Sequence, residues 1–221
     1  MKSALVIGAS GGIGSALCQG LRQRGVLATG LSRSSDGFDL TGPESVDRGL
    51  DKLNGPFDMI LIASGALEVN GAEPEKTIKS ISAPVMMDQF ALNAVGPALV
   101  LGHAHKLLPR DRQCVVAILS ARVGSIGDNR LGGWISYRAA KAALNQIVRT
   151  SAIELARTHP QSICVALHPG TVRTSFTQKY SGRHPSVAPE EAAKNLLGVI
   201  DRLTPAQTGG FFDWKGETVP W

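Results

Sequence analysis

Short apolar runs, many of their residues β-branched, recur along the chain and are separated by stretches in which apolar residues return at helical spacing. The runs at residues 4–7, 26–31, 59–62, 114–119 and 164–168 predict strands, and 210–213 a short sixth strand at one edge. Residues 13–24, 45–53, 85–108, 135–158 and 189–201 predict helices, the last opening on Pro-Glu-Glu, a good start signal. Strand alternating with helix implies the α/β class, with a doubly wound parallel sheet and helices on both faces. No repeat, low-complexity tract or linker interrupts the pattern, so residues 1–221 are expected to form a single domain. Residues 170–186, rich in Thr, Ser, Gly and basic side chains, are expected to be the most mobile.

Ligands of such a sheet bind outside the carboxyl ends of its strands. That singles out residues 8–14, 32–36, 63–65, 120–124 and 169–174. The first of these segments reads Gly8-Ala9-Ser10-Gly11-Gly12-Ile13-Gly14, between a strand and a helix. Amides at a helix N-terminus, together with the helix dipole, suit a phosphate. The spacing Gly8-x-x-x-Gly12-x-Gly14 departs from the G-x-G-x-x-G dinucleotide fingerprint, because Leu stands at position 17. The plainer alternative for this loop is a tight strand-to-helix turn. Further along, Tyr137 and Lys141 are four residues apart at the start of a predicted helix, hence on one face. A phenol, with an ordinary pKa of about 10, is a poor acid near neutrality. A neighbouring ammonium favours the phenolate and would draw that pKa down.

Tyr137-x-x-x-Lys141 with the glycine-rich loop resembles the short-chain dehydrogenase/reductase family. Asn93 in Leu92-Asn93-Ala94-Val95-Gly96, the pair Asp39-Leu40, the run Pro169-Gly170-Thr171-Val172-Arg173-Thr174 and Ala63-Ser64-Gly65 stand where the family has its remaining motifs. The segment Gly124-Ser125-Ile126-Gly127-Asp128-Asn129, then Gly132-Gly133 and the stretch from Tyr137 to Asn145, is similar to the C-factor and sniffer-type carbonyl reductase branch. The resemblance implies a Rossmann-like dinucleotide-binding domain and an oxidoreductase interconverting a small-molecule carbonyl and an alcohol. In it Tyr137 would be the general acid of reduction and the base of oxidation. Lys141 would hold the nicotinamide ribose and lower the phenol's pKa, and Asn93 would join a water-mediated proton relay to Lys141. Cofactor contacts would come from Gly8, Ser10, Gly11, Gly12, Ile13 and Gly14, then from Ser32, Arg33, Asp39 and Leu40. Ala63, Ser64 and Gly65, with Pro169, Gly170, Val172 and Thr174, would complete them beside Tyr137 and Lys141. The family also associates into homo-oligomers, so a dimer or tetramer is expected.

Ser32-Arg33 follows the second strand, where the adenosine ribose would lie. A carboxylate there accepts from a 2′-hydroxyl, whereas a cation pairs with a 2′-phosphate. Arg33 therefore points to NADP (NADPH) over NAD, and Asp36 reads as too far out to serve as the ribose carboxylate. The family's Ser-Ser-x-x-Gly segment is altered: aligned on Gly124, the carbonyl-polarising serine is Ala121. Ser120 is the candidate replacement, with Ser125, or no serine at all, as the alternatives.

Composition narrows the rest. The chain has 221 residues, 43% hydrophobic and 19% charged, enough for a sizeable core. The net charge of +5 is dispersed, without interleaved aromatics, so a nucleic-acid partner is not expected. No apolar run is expected to approach the ~20 residues of a membrane span, and Met1-Lys2-Ser3 leads straight into a strand, so a cytoplasmic location is expected. Cys18, Cys114 and Cys164 lack paired or metal-ligand spacing and read as reduced core cysteines, and no metal is expected. Trp134, Trp214 and Trp221 suit either a substrate pocket or the core.

Overall fold

The computed structural model describes residues 1–174 and 186–221. Its six strands are β1 (Ser3–Ile7), β2 (Leu27–Leu31), β3 (Met59–Ile62), β4 (Cys114–Leu119), β5 (Ser162–His168) and β6 (Phe211–Asp213). They form one parallel sheet in the order β2-β1-β3-β4-β5-β6. The helices are α1 (Gly12–Gln23), α2 (Arg33–Asp36), α3 (Pro43–Asp51), α4 (Ala83–Phe90), α5 (Gly96–Leu107), α6 (Ile135–Thr158) and α7 (Pro189–Ile200). This is a Rossmann-like, doubly wound sheet covered on both faces. The order reverses between β1 and β3, which is where such a sheet opens a crevice at its carboxyl edge.

The two-residue period of each strand divides the core. Leu5, Ile7, Ile60, Ile62, Val116 and Ile118 face one layer, where they pack on Val46 and Leu50 of α3, Val100 and Leu101 of α5, and Leu144 and Val148 of α6. Ala4, Val6, Met59, Leu61, Val115 and Ala117 face the other, against Leu17 and Leu21 of α1 and Leu196 and Ile200 of α7. The three cysteines are buried and unpaired within these layers.

Most predicted bounds move by one or two residues, and two elements differ in kind. The four-residue helix α2 replaces a predicted loop. The predicted helix over 85–108 is a run from Ala83 to Leu107 interrupted by a π-helical turn, Ala91–Val95. There the Gly96 amide donates to Ala91 O, five residues back, and Pro97 supplies no donor for the next bond. Contrary to the expectation that no apolar run approaches a membrane span, this run is long and apolar enough to cross a membrane by length and composition. It nevertheless packs on the sheet through Val100, Leu101, Ala104 and Leu107. Of the segment 170–186, expected to be mobile, residues 175–185 lie outside the described residues.

Candidate active site

The glycine-rich turn is shaped by close approach. Gly8 has φ +84°, and a Cβ there would sit 3.0 Å from the backbone of Ala63 and Ser64. A Cβ on Gly14 would lie 2.1 Å from Gly8 O. Thus α1 starts directly above the turn, with Gly11 as an extended N-cap that offers no side chain. A helix leaves its first amides without intrahelical acceptors, so those of Gly12, Ile13 and Gly14 form an anion-binding end. A Cβ on Gly12 would fall 2.8 Å from Thr174 Cγ2, which brings the segment after β5 against this end. Ser10, Gly11 and Gly12 are exposed.

A cavity of about 180 Å³ joins that end to the chemistry. Gly11, Gly12 and Ile13 line one side, and Ala63, Ser64 and Gly65 the floor. Ser120, Tyr137 and Lys141 line the opposite side, with Pro169 and Thr174. Ser64 Oγ is buried there without a hydrogen-bond partner among the described residues. Tyr137 and Lys141 both lie on the buried face of α6. Lys141 Nζ donates to Leu119 O at 3.0 Å and stands 5.8 Å from the centroid of the Tyr137 ring. Burial pulls the Lys141 ammonium down to about 8. Burial also pushes the Tyr137 phenol above its ordinary value. The expected lowering of the phenol by Lys141 is therefore corrected: in the protein alone, desolvation outweighs the cation.

Asn93 is fully buried in the π turn and holds the floor of the cavity from behind. Its Nδ2 donates to Ala66 O (2.9 Å) and Gln89 Oε1 (2.7 Å), and its Oδ1 accepts from Ala66 N (3.1 Å). Gly65, at φ +139°, leaves room for it, since a Cβ would meet Asn93 Oδ1 at 2.7 Å and Lys141 Nζ at 3.2 Å. Asn93 thus binds backbone on both sides of Ala66.

β4 ends at Leu119, so Ser120 leaves the strand and borders the cavity, whereas Ala121 and Ser125 do not. Ser120 Oγ donates to Asn145 Oδ1 at 2.6 Å, and Asn145 Nδ2 donates to Gly124 O at 3.3 Å. Ser120's proton is therefore engaged by α6. Ser125 Oγ instead accepts from Asp128 N and donates to Trp221 O.

One contributor carried no motif in the sequence. Gly132, Gly133 and Trp134 are consecutive left-handed residues at φ 64°, 67° and 52°, and Trp134 provides no side-chain cap for α6. Left-handed backbone at a non-glycine residue costs about 1–2 kcal/mol. Glu75, from the loop after β3, fills the gap. Its main-chain oxygen accepts from Trp134 N (2.5 Å), and its carboxylate accepts from Ser136 N (3.2 Å) and Ser136 Oγ. Burial raises this carboxyl, but the hydrogen bonds from Ser136 and from its own backbone amide together outweigh it and the net direction is down. Only the pattern Glu75-Lys76 followed much later by Ser136 could have hinted at this, and nothing local links them.

The far end of the crevice holds the remaining predicted residues. Ser32 caps α2 by accepting from Ser35 N, and exposed Arg33 opens the helix. Asp36 turns back so that Oδ2 accepts from Ser32 N (2.8 Å) and Ser32 Oγ (3.2 Å). Asp36 Oδ2 is thus engaged within the turn that Ser32 opens. Asp39 Oδ1 accepts from Thr41 N and Oγ1, bonds that with nearby Arg33 hold its carboxyl low. Leu40 is buried, and its Cβ and carbonyl would meet a Cβ on Gly96 at 2.8 Å. Gly170, at φ +77°, lies beneath Trp214, whose ring would meet a Cβ there at 3.0 Å. Val172 is buried and bridges to Val187. Among the described residues, no group of three or more His, Cys, Asp or Glu side chains could hold a metal ion.

A dinucleotide fits this crevice. The exposed Gly11 and Gly12, the amide end of α1 and the Ser64 hydroxyl, without a partner among the described residues, suit a diphosphate and ribose. The model of the short chain dehydrogenase family matches residues 37–184, about two thirds of the chain. A Rhodococcus sp. protein, 1-hydroxy-2-glutathionyl-2-methyl-3-butene dehydrogenase, is 30% identical over the full length of both chains. C-signal of Myxococcus xanthus is 37% identical over 140 residues, 62% of this chain and 78% of that one. Among solved structures, a short-chain dehydrogenase/reductase from Burkholderia multivorans with bound NADP is 27% identical and superposes with a TM-score of 0.80 over 100% of this chain and 99% of that one. A glycine-shaped phosphate end facing a Tyr-Lys helix, a family model over most of the length and a full-length relative at 30% identity agree: the chain belongs to the short-chain dehydrogenase family.

Proposed function

We propose that the protein is an NADP-dependent oxidoreductase that interconverts a small carbonyl compound and an alcohol. The observation that carries this reading is the single cavity shared by the amide end of α1 and the pair Tyr137–Lys141. The 2′-phosphate would be held by Arg33, the diphosphate by the amides of Gly12 and Ile13 at the start of α1, and the nicotinamide ribose by Lys141 and Tyr137. When bound, the nicotinamide supplies or accepts the hydride. Tyr137 gives its phenolic proton to the carbonyl oxygen, and a phenol kept neutral by burial is charged with that proton at working pH. Asn93 keeps Gly65 and Ala66 in place beneath the reacting atoms. Ser120, with its proton directed to Asn145, offers the cavity an acceptor, so proton donation rests on Tyr137. The Burkholderia protein's bound NADP and the dehydrogenase name of the Rhodococcus relative support the cofactor and the reaction class.

The test is NADPH consumption with a panel of aldehydes, quinones and diketones, using the intact protein and Tyr137→Phe. The variant should lose at least ~100-fold in turnover and keep its NADPH affinity. Retention of most turnover would overturn the role of Tyr137. A second reading, an NADP(H)-binding regulatory protein with little turnover, is favoured by Ala121 and by the likeness to C-signal. Tight NADPH binding without oxidation across the panel would select it.

A further inference from the structure

We propose that Glu75 is a positioning residue for Tyr137, acting through Ser136 as a cap supplied from the loop after β3 to the helix that carries the proton donor. The inference rests on the oxidoreductase reading for its kinetic consequence, though its structural part stands alone. Tyr137 is the third residue of α6, and its direction depends on how the first turn is fixed. The local sequence does not fix it. The N-cap is Trp134, in a left-handed conformation and without a side-chain cap bond, after two glycines that are also left-handed. A chain so free before a helix leaves the first turn prone to fray.

Glu75 closes that freedom at three points within the first turn. Its carbonyl takes the Trp134 amide, and its carboxylate takes both the amide and the hydroxyl of Ser136. Sixty-one residues separate the partners, so the bond is tertiary. Both side chains are buried, Glu75 to 5% exposure and Ser136 to 1%. A carboxylate at a helix N-terminus is also favoured by the dipole. Arg138 reinforces the same turn, donating from Nε to Gly133 O and from Nη1 to Val123 O. The geometry accounts for a buried carboxylate that no other part of the site uses. It also connects the two walls of the cavity. The loop bearing Glu75 leaves β3 through Ala63–Gly65, on the cofactor side, and at Glu75 meets the start of the helix of Tyr137.

The test uses the full chain as Glu75→Ala, the isosteric Glu75→Gln, Ser136→Ala and the Glu75→Ala/Ser136→Ala pair. Deuterium exchange of the peptide spanning residues 134–141 is read first, then NADPH affinity, then kcat and KM on whichever carbonyl the intact protein reduces. Glu75→Ala should speed exchange in the first turn of α6 at least tenfold, while the far half of α6 exchanges as before. Turnover should fall ~10- to 100-fold, with KM and NADPH affinity within about threefold. Ser136→Ala should reproduce most of that fall, the pair should be no worse than Glu75→Ala, and Glu75→Gln should lie between. Unchanged exchange at the start of α6, or additive losses in the pair, would overturn the proposal. So would a KM increase without a kcat loss. If the intact protein reduces no carbonyl, the oxidoreductase reading fails, and the exchange data still decide whether Glu75 fixes the helix. Should Glu75→Ala not fold, Glu75→Gln and Ser136→Ala carry the same comparison.

Discussion

Lys141 is a buried ammonium that donates to Leu119 O, and that position is expensive to hold charged. Its pKa in the folded protein is about 8, below the 10.5 of an exposed lysine. Between those values the unfolded chain binds a proton that the folded protein has released. Stability therefore rises with pH across the window from about 8 toward 10.5, and below 8 the full penalty is present. The difference corresponds to roughly 3 kcal/mol. Tyr137 acts in the opposite sense, but only above its unfolded pKa near 10, because its folded value is raised. Urea unfolding at pH 7, 8 and 9 should show rising stability in the intact protein and a flatter profile in Lys141→Met; toward pH 10 the buried thiols of Cys114 and Cys164, pushed up by burial to about 11 and about 12, act in the opposite sense. A flat profile in both would show that Lys141 is not desolvated as described. At this scale much of the candidate site was legible: Tyr137, Lys141 and the glycines carry spacing that their chemistry requires, and Asn93 stood out only through the family resemblance. The direction of the phenol's shift was not, because desolvation depends on everything packed around Tyr137 and not on the lysine four residues away.

The interrupted helix from Ala83 to Leu107 shows what an element can hide. Its apolar periodicity is continuous enough to read as one helix, and Gly96-Pro97 hints at a kink without giving its form. The π turn widens the helix at Asn93 and lets one amide serve both the donor and the acceptor of Ala66. That pairing takes the place of a sheet ladder for a loop leaving β3. Asn93→Ala should leave Ala66 N, Ala66 O and Gln89 Oε1 without these partners in a buried setting. Buried groups so orphaned cost about 1–3 kcal/mol each, with relaxation and water recovering part. The expected destabilisation is about 2–4 kcal/mol, read by thermal or urea unfolding, together with weaker NADPH binding as the Gly65 floor shifts. A variant as stable as the intact protein would mean that the amide is not structural. Helix α2 was missed for a different reason. Four residues carry no period, and its cap is made by Ser32 and Asp36 side chains whose bonds appear only in three dimensions.

On the scale of the molecule, the parallel sheet gathers segments that lie far apart in sequence at one carboxyl edge. Strand alternation made that edge predictable, since every predicted ligand segment follows a strand. The cap from Glu75 was not predictable, because it joins two loops that neither period nor motif relates. A cofactor bound along the edge would touch the turn after β1, the segment after β2, the floor after β3, helix α6 and the segment after β5. All of these must be folded to bind it, so the cofactor should stabilise the whole protein by linkage. At a concentration 100 times its dissociation constant, the gain is about 2.7 kcal/mol. For a chain of this size that raises the melting temperature by roughly 5–10 °C. NADPH should produce this rise at a concentration where NADH produces little, because Arg33 lies exposed beyond Ser32 where a 2′-phosphate has a cation to meet. Arg33→Ala should bring the NADPH shift down to that of NADH without lowering the melting temperature of the protein alone. This measurement needs no substrate. Equal shifts with the two cofactors in the intact protein would overturn the assignment of Arg33. No shift with either would remove the dinucleotide from the crevice altogether.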